Sequence, residues 1–185
     1  ISGILNGTTN YILTKMVKEG ESFDDALKTA QKLGYAEANP SADVDGIDSC
    51  RKISILASLA YGKHVNPNKV YTEGITKLQL QDIDLADKLG YSVKLLGIIK
   101  KDENDKLYIM VAPFLVDKDL PISTVDDVYN AILVEGDAVG LSLFYGRGAG
   151  KLPTASAVVA DIIDCAKHIN ARKYLFWESS DGEFI

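Results

Sequence analysis

Apolar residues at Ile1, Ile4 and Leu5 open the chain as a strand or buried segment, closed by the turn-forming pair Asn6-Gly7. Tyr11, Ile12, Met16 and Val17 then recur at helical spacing. They predict a helix capped by Thr8 or Thr9 and stopped by Gly20. Ser22 stands before Phe23-Asp24-Asp25. Acids in a first turn suit the helix dipole, so a second helix is expected to run to about Leu33, with Gly34 as its C-terminal stop. Residues 35–47 are rich in acids, Asn, Pro and Gly and read as a loop. A third helix is expected from near Asp48, with Ile53, Leu56, Leu59 and Ala60 as its apolar stripe and Gly62 as its end.

The pattern changes after Pro67. Residues 70–75 read as a strand, and Ile83, Leu85, Ala86 and Leu89 as a short helix ending at Gly90, with no Ser or Thr cap near Gln81-Asp82. Residues 92–99 and 107–116 flank the polar tip Asp102-Glu103-Asn104-Asp105, which is a β-hairpin signal. Residues 125–129 suggest a helical turn, and 131–135 with 139–144 a second hairpin across Gly136-Asp137. A last helix follows Pro153-Thr154, with Ala157, Val158, Ile162 and Ala166 at helical spacing; the tail from Asn170 has no period. Helices first, then strands with helices, then a helix give an α+β expectation. It is a two-layer α/β sandwich, with a mixed, largely antiparallel sheet and helices packed on one face.

Composition narrows the function classes. The 185 residues are 46% hydrophobic and 25% charged, an ordinary globular balance that argues against disorder. Twenty basic and 26 acidic residues leave a net charge of −6, which disfavours nucleic acid or an anionic membrane as the main partner. No apolar run approaches the ~20 residues of a membrane helix. Cys50 and Cys165 lie far apart and outside any CxxC, which fits packed thiols in a reducing compartment, and His64 and His168 are too scattered for a metal site. The first residue is Ile1, and no basic leader precedes the opening core segment. The chain is therefore expected to be an excised domain.

The acidic loop and the helix after it carry the most chemistry. Glu37, Asp43, Asp45 and Asp48 precede Lys52, and Asp48 and Lys52 are four apart on one helix face. A carboxylate that orients a lysine makes it able to relay a proton to or from a hydroxyl or carbonyl. The same spacing also describes an ordinary exposed ion pair, which is worth little. The loop lacks the spacing and bidentate glutamate of a Ca²⁺ loop. Gly146-Arg147-Gly148-Ala149-Gly150 precedes a helix and fits two readings: a plain turn, or exposed amides that cradle a phosphate or lie against a flat ring. It is not a dinucleotide fingerprint. Thr8, after Asn6-Gly7, either caps its helix or holds a substrate carboxylate.

Certain motifs resemble a known family. The stretch Ala30-Gln31-Lys32-Leu33-Gly34-Tyr35-Ala36-Glu37-Ala38-Asn39-Pro40, continued through Asp43-Val44-Asp45-Gly46-Ile47-Asp48 to Lys52, resembles the signature of homoserine dehydrogenases. The opening Gly3-Ile4-Leu5-Asn6-Gly7-Thr8-Thr9-Asn10-Tyr11 and the Gly146 to Gly150 loop with Pro153-Thr154-Ala155 are similar to the same family. Asn39 stands where many members have Asp, and Arg147 where Pro is commoner.

The resemblance implies an oxidoreductase domain that serves the NAD(P)-dependent interconversion of L-homoserine and L-aspartate 4-semialdehyde. The reaction belongs to threonine, methionine and isoleucine biosynthesis in the cytoplasm. It implies residues 1–169 as the catalytic and dimerisation domain, 170–185 as a tail, and a homodimer formed through the sheet. The Rossmann domain, a second functional lysine and the family's Na⁺ site would lie upstream, leaving no metal ligands here and an isolated chain without turnover. By similarity Lys52 is the acid/base and Asp48 orients it. Glu37, Asp43, Thr8, Gly7 and Tyr35 form the amino-acid pocket, and Gly148, with Gly146 and Gly150, approaches the cofactor. The last helix would pack against the missing domain and be apolar without it. The competing class is an assembly module that keeps the pocket and does not turn over. A gene that continues upstream with a βαβ unit carrying GxGxxG would favour the enzyme. Other two-domain dehydrogenases share the architecture without the Glu37 to Lys52 spacing.

Overall fold

A computed structural model describes residues 1–171 and 178–180. The chain begins as β1 (Ser2–Ile4) and passes through Leu5 into α1 (Gly7–Glu19). Asn6 caps this helix, not Thr8 or Thr9. Its backbone is extended, and its Oδ1 accepts from Thr9 N at 2.9 Å. Asparagine is among the best N-caps because its short side chain reaches the amide three residues on. Thr8 and Thr9 already lie inside the first turn. α2 (Phe23–Lys32) has its predicted Ser22 cap and its two first-turn acids.

The expected loop at 35–47 is not all loop. Its middle forms α3 (Ser41–Val44), one turn long, entered through Pro40. α4 (Ile47–Tyr61) follows directly, with its end at Gly62 as predicted. β2 (Tyr71–Thr72) is shorter than the strand expected over 70–75, because the chain leaves the sheet for α3, where Ile75 N donates to Val44 O at 2.8 Å. α5 (Leu80–Lys88) lacks Ser or Thr at its start, and Asp82 accepts from the Gln79 amide instead.

The hairpin strands are β3 (Tyr91–Lys101) and β4 (Leu107–Asp117), each longer than expected. The helical turn expected over 125–129 is displaced: a 3₁₀ turn occupies Pro121–Thr124, where proline presets the backbone. The second hairpin is β5 (Tyr129–Gly136) and β6 (Gly140–Arg147), and α6 (Lys151–Lys167) closes the described elements. α6 begins two residues before Pro153, which is tolerated in a first turn because amides there have no helical partner. The tail falls largely outside the described residues. Of it, Glu178 bonds back to Gly62 and His64.

The six strands form one mixed sheet in the order β2-β4-β3-β1-β5-β6, antiparallel except for β2 against β4. β1 is central although it comes first, with Ser2 opposite both Ile98 and Leu133. On one face Ile12, Leu13, Met16, Ile53 and Ala57 pack against Val93, Leu95, Ile99, Ile109 and Val111. Each large side chain buried there stabilises by about 1.5–3 kcal/mol. The opposite face holds a smaller cluster around Ile4, Leu96, Val116, Ile122 and Leu133, and leaves Tyr108, Met110, Leu141, Leu143 and Tyr145 exposed. This is the two-layer α+β sandwich, with α1, α4 and α5 on one face of a mixed sheet. No helix among the described residues is long and apolar enough to cross a membrane.

Candidate functional site

A cleft of 490 Å³ opens where three segments meet: the elbow between β1 and α1, the start of α4, and the glycine loop ahead of α6. Its walls include Gly7, Thr8, Tyr35, Asp43, Asp48, Lys52, Gly148 and Gly150, so eight of the expected residues converge on one space. The helical spacing of Asp48 and Lys52 makes a real contact, with Lys52 Nζ 2.6 Å from Asp48 Oδ2. Lys52 Nζ also donates to Leu5 O at 3.0 Å. The ammonium is thus held by a carboxylate on its own helix and a carbonyl from the elbow, with one of its three donors left over. Both side chains are partly exposed, so the pair is accessible and contributes little to stability.

The elbow fits closely because Gly7 has no side chain: a Cβ there would meet Val128 O at 2.8 Å. Thr8 Oγ1 donates to Tyr35 O at 2.6 Å, tying the α1 start to the signature loop. The Tyr35 ring meets Tyr11 edge-on at 5.1 Å. Across the cleft, a Cβ on Gly148 would lie 2.2 Å from Asn130 Oδ1, so a larger residue there would displace the Asn130 side chain. Asn130 in turn donates to Ile4 O at 2.9 Å. α6 follows Gly150 without a side-chain cap, so the first-turn amides of Lys151 and Leu152 have no cap partner, and Gly150 itself lines the cleft.

Behind Val128, a polar brace fixes the loop before β5. Asn10 Nδ2 lies 3.1 Å from the carbonyls of Val125, Asp127 and Tyr129, and Thr14 Oγ1 accepts from Asp127 N at 2.9 Å. Lys94, nearly fully buried in β3, donates to Val125 O at 2.6 Å and to Asp126 Oδ1 at 3.0 Å. Lys18 reaches the other Asp126 oxygen at 2.6 Å. Burial pushes the Lys94 ammonium below the usual lysine range, against the pull of Asp126. Burial also pushes the Asp126 carboxyl up, but its bonds to Lys18 and Lys94 outweigh this and hold it below the usual range.

Two expected residues stand apart. Glu37 is exposed and does not line the cleft; its carbonyl accepts from Gln31 Nε2 at 3.0 Å. Gly146 is still in β6 and borders a separate shallow depression with Phe144 and Tyr145. Asn6, Val128, Asn130 and Arg147 line the cleft without having been singled out as site residues. Asn6 was discoverable, since its three-residue interval to Thr9 is the N-cap spacing. Asn130 and Val128 carry no local signal, because the register of β5 brings them in. Among the described residues no group of three or more His, Cys, Asp or Glu side chains is placed to hold a metal ion.

Residues 1–163 match the family model described as homoserine dehydrogenase. A homoserine dehydrogenase of a Synechocystis strain is 53% identical over 167 residues, covering 89% of this chain and 39% of that protein. The crystal structure of a homoserine dehydrogenase from Thiobacillus denitrificans superposes with a TM-score of 0.93 at 44% identity, covering all of this chain and 44% of the other. A hyperthermophilic archaeal homoserine dehydrogenase, solved with NADPH, has a TM-score of 0.72 at 32% identity, covering 90% of this chain and 46% of its own. The chain thus spans about two fifths of the length of the relatives it matches, 39% in the Synechocystis case.

Proposed function

The chain belongs to the homoserine dehydrogenase family, and on that premise we propose that its cleft is the substrate half of an NAD(P)-dependent interconversion of L-homoserine and L-aspartate 4-semialdehyde. The observation that carries this reading is the held lysine: Lys52 Nζ between Asp48 Oδ2 and Leu5 O, with one donor left for the cleft. In oxidation the neutral amine of Lys52 takes the proton from the C4 hydroxyl. In reduction its ammonium returns a proton to the forming alkoxide. Asp48 aims the nitrogen.

The α-carboxylate fits the first amides of α1, at Gly7 and Thr8, where the helix dipole favours an anion. Asp43, the Tyr35 carbonyl and Glu37, two positions further on at the rim, are the acceptors suited to the α-ammonium. The glycine loop suits the cofactor. Gly148, without a side chain, packs close to Asn130 and leaves its backbone open to the cleft, and the uncapped α6 amides offer donors to a polar substituent. Gly146 and Gly150 shape that loop. NAD(P), when bound, supplies the hydride acceptor in one direction and the donor in the other.

The same reading makes residues 1–169 one catalytic domain and 170–185 a tail. It pairs two copies through the open sheet face, where Tyr108, Met110, Leu141, Leu143 and Tyr145 are exposed. It covers the apolar side of α6 with the cofactor domain. It places the protein in the cytoplasm, in threonine, methionine and isoleucine biosynthesis. Cys50 is packed as expected and Cys165 is exposed on α6 instead; both are free, which agrees with a reducing compartment. The test is homoserine-dependent NAD(P)H formation by the gene product that carries this chain, with the 185-residue chain assayed beside it. Turnover by the former and none by the latter is expected. No turnover by the former with either cofactor overturns the reading.

A further inference from the structure

We propose that Asn6 is a positioning residue for the reaction, holding Asp43 and Asp48 side by side so that Asp48 can aim Lys52; this rests on the acid/base reading of Lys52. Asn6 is buried at the bottom of the elbow, with 5% of its surface exposed. The donors and the acceptor of its side chain are all used. Oδ1 accepts from Thr9 N at 2.9 Å, and Nδ2 donates to Asp43 Oδ1 at 2.7 Å and to Asp48 Oδ2 at 3.0 Å. The two carboxylates come from different helices, α3 and α4, and one neutral amide gathers them.

Residue type matters here. Aspartate would cap α1 equally well but has no donor and would add a third negative charge. Serine would also cap, but it is too short and has one donor. A lysine would neutralise the carboxylates and repel Lys52. Asparagine supplies one acceptor and two donors without charge, leaving the whole field of Asp43 and Asp48 on the Lys52 ammonium. The oxygen that accepts from Asn6 is the one that meets Lys52, Asp48 Oδ2. The preceding residue supplies the carbonyl that meets Lys52 from the other side. Two consecutive residues therefore grip both members of the pair, one through its side chain and one through its backbone.

The experiment uses Asn6→Ser and Asn6→Asp in the gene product that carries this chain, since both keep the cap. Asn6→Ser is expected to keep a Tm near that of the wild type and Asn6→Asp to lower it, because its carboxylate faces Asp43 and Asp48. Assayed well below Tm, both are expected to lose kcat by about 10- to 100-fold, the scale for a misplaced catalytic group. In Asn6→Asp the added negative charge favours the ammonium, so the limb of the pH–rate profile set by Lys52 moves to higher pH. A crystal structure of Asn6→Ser should show the Asp48 carboxylate turned away from Lys52, beyond the ~4 Å of an ion pair. A kcat within twofold of wild type overturns the proposal. So does a kcat loss that follows Tm with the pH limb unmoved, or an Asp48–Lys52 pair undisturbed in Asn6→Ser. Absence of homoserine turnover in the wild type would overturn the proposed function instead, and the crystal structure would still decide the role of Asn6 in positioning Asp48.

Discussion

The two walls of the cleft are built on opposite principles. On one side, β1, α1 and α4 are packed into the sheet: Ile12, Leu13 and Ile53 are fully buried, and Asn6, Asp48 and Lys52 are tied to one another. On the other side, α6 runs for 17 residues without one buried position, although Val158, Val159, Ile162 and Ile163 lie along it. A helix with that much apolar surface and no cover is not held by its own packing. The wall with the Asp48–Lys52 pair is packed within this chain. The α6 wall is not, and under the proposed function that division is the one expected of a domain that brings its substrate chemistry and receives its hydride partner.

The sharpest test of the first wall is Lys52→Ala in the gene product, which should lower kcat about a hundredfold or more. Near-normal turnover would remove Lys52 from proton transfer. Next in size is Leu13→Ala in the same packed wall, which should cost about 2–5 kcal/mol in denaturant unfolding. A cost below ~1 kcal/mol would mean the α1–sheet contact is looser than its burial indicates.

Glu37→Ala addresses the residue that lies outside the cleft: KM for homoserine should rise about tenfold with kcat held, the loss of one charged hydrogen bond. An unchanged KM would leave Tyr35 and Asp43 as the ammonium's acceptors. The brace behind Val128 predicts a pH effect. The folded Asp126 carboxyl is held below its ordinary value, so its stabilisation is present above ~3.9 and is lost as pH falls through the lowered value. Asp126→Asn should therefore be less stable than wild type at neutral pH, with the gap closing in acid; a gap independent of pH would refute the ionic brace. Smallest is Ile162→Ser on α6, expected to move the stability of the 185-residue chain by no more than ~0.5 kcal/mol. Under the proposed function, the same change in the gene product that carries this chain should cost about 1–3 kcal/mol, the scale of a side chain buried there. Equal effects in both would mean that nothing covers α6.

The same contrast decides what could be read from the amino acids alone. Hairpins with polar tips, helices with glycine stops and the Ser22 cap are local patterns, and they appear where periodicity puts them. The Asp48–Lys52 pair is local too. Asn6 was masked by two threonines that are also good caps, although only Asn6 stands outside the first turn. α3 was hidden because four residues after a proline have no room for a period. Asn130 meets Gly148 through the register of the β5–β6 hairpin, and it reaches the elbow at Ile4 only because β5 also pairs with β1, a contact between residues far apart in sequence.

The central place of β1 has a consequence for how the molecule assembles. This strand is three residues long and is bordered on both sides by strands from distant parts of the chain, β3 and β5. Neighbours so far apart in sequence meet late, since the entropy of closing long loops must be met before their contacts stabilise anything, whereas hairpins close locally. The β3–β4 and β5–β6 ribbons are thus expected to form first and to receive β1 between them as the last insertion. Pulse-labelled hydrogen exchange during refolding should find their amides protected before that of Gly3. The elbow at Leu5 and Asn6 hangs directly from that strand, so on this order of events the Leu5 carbonyl and the Asn6 amide reach Lys52 and Asp48 only at the end of folding, and partly folded chains carry the helical pair without that grip.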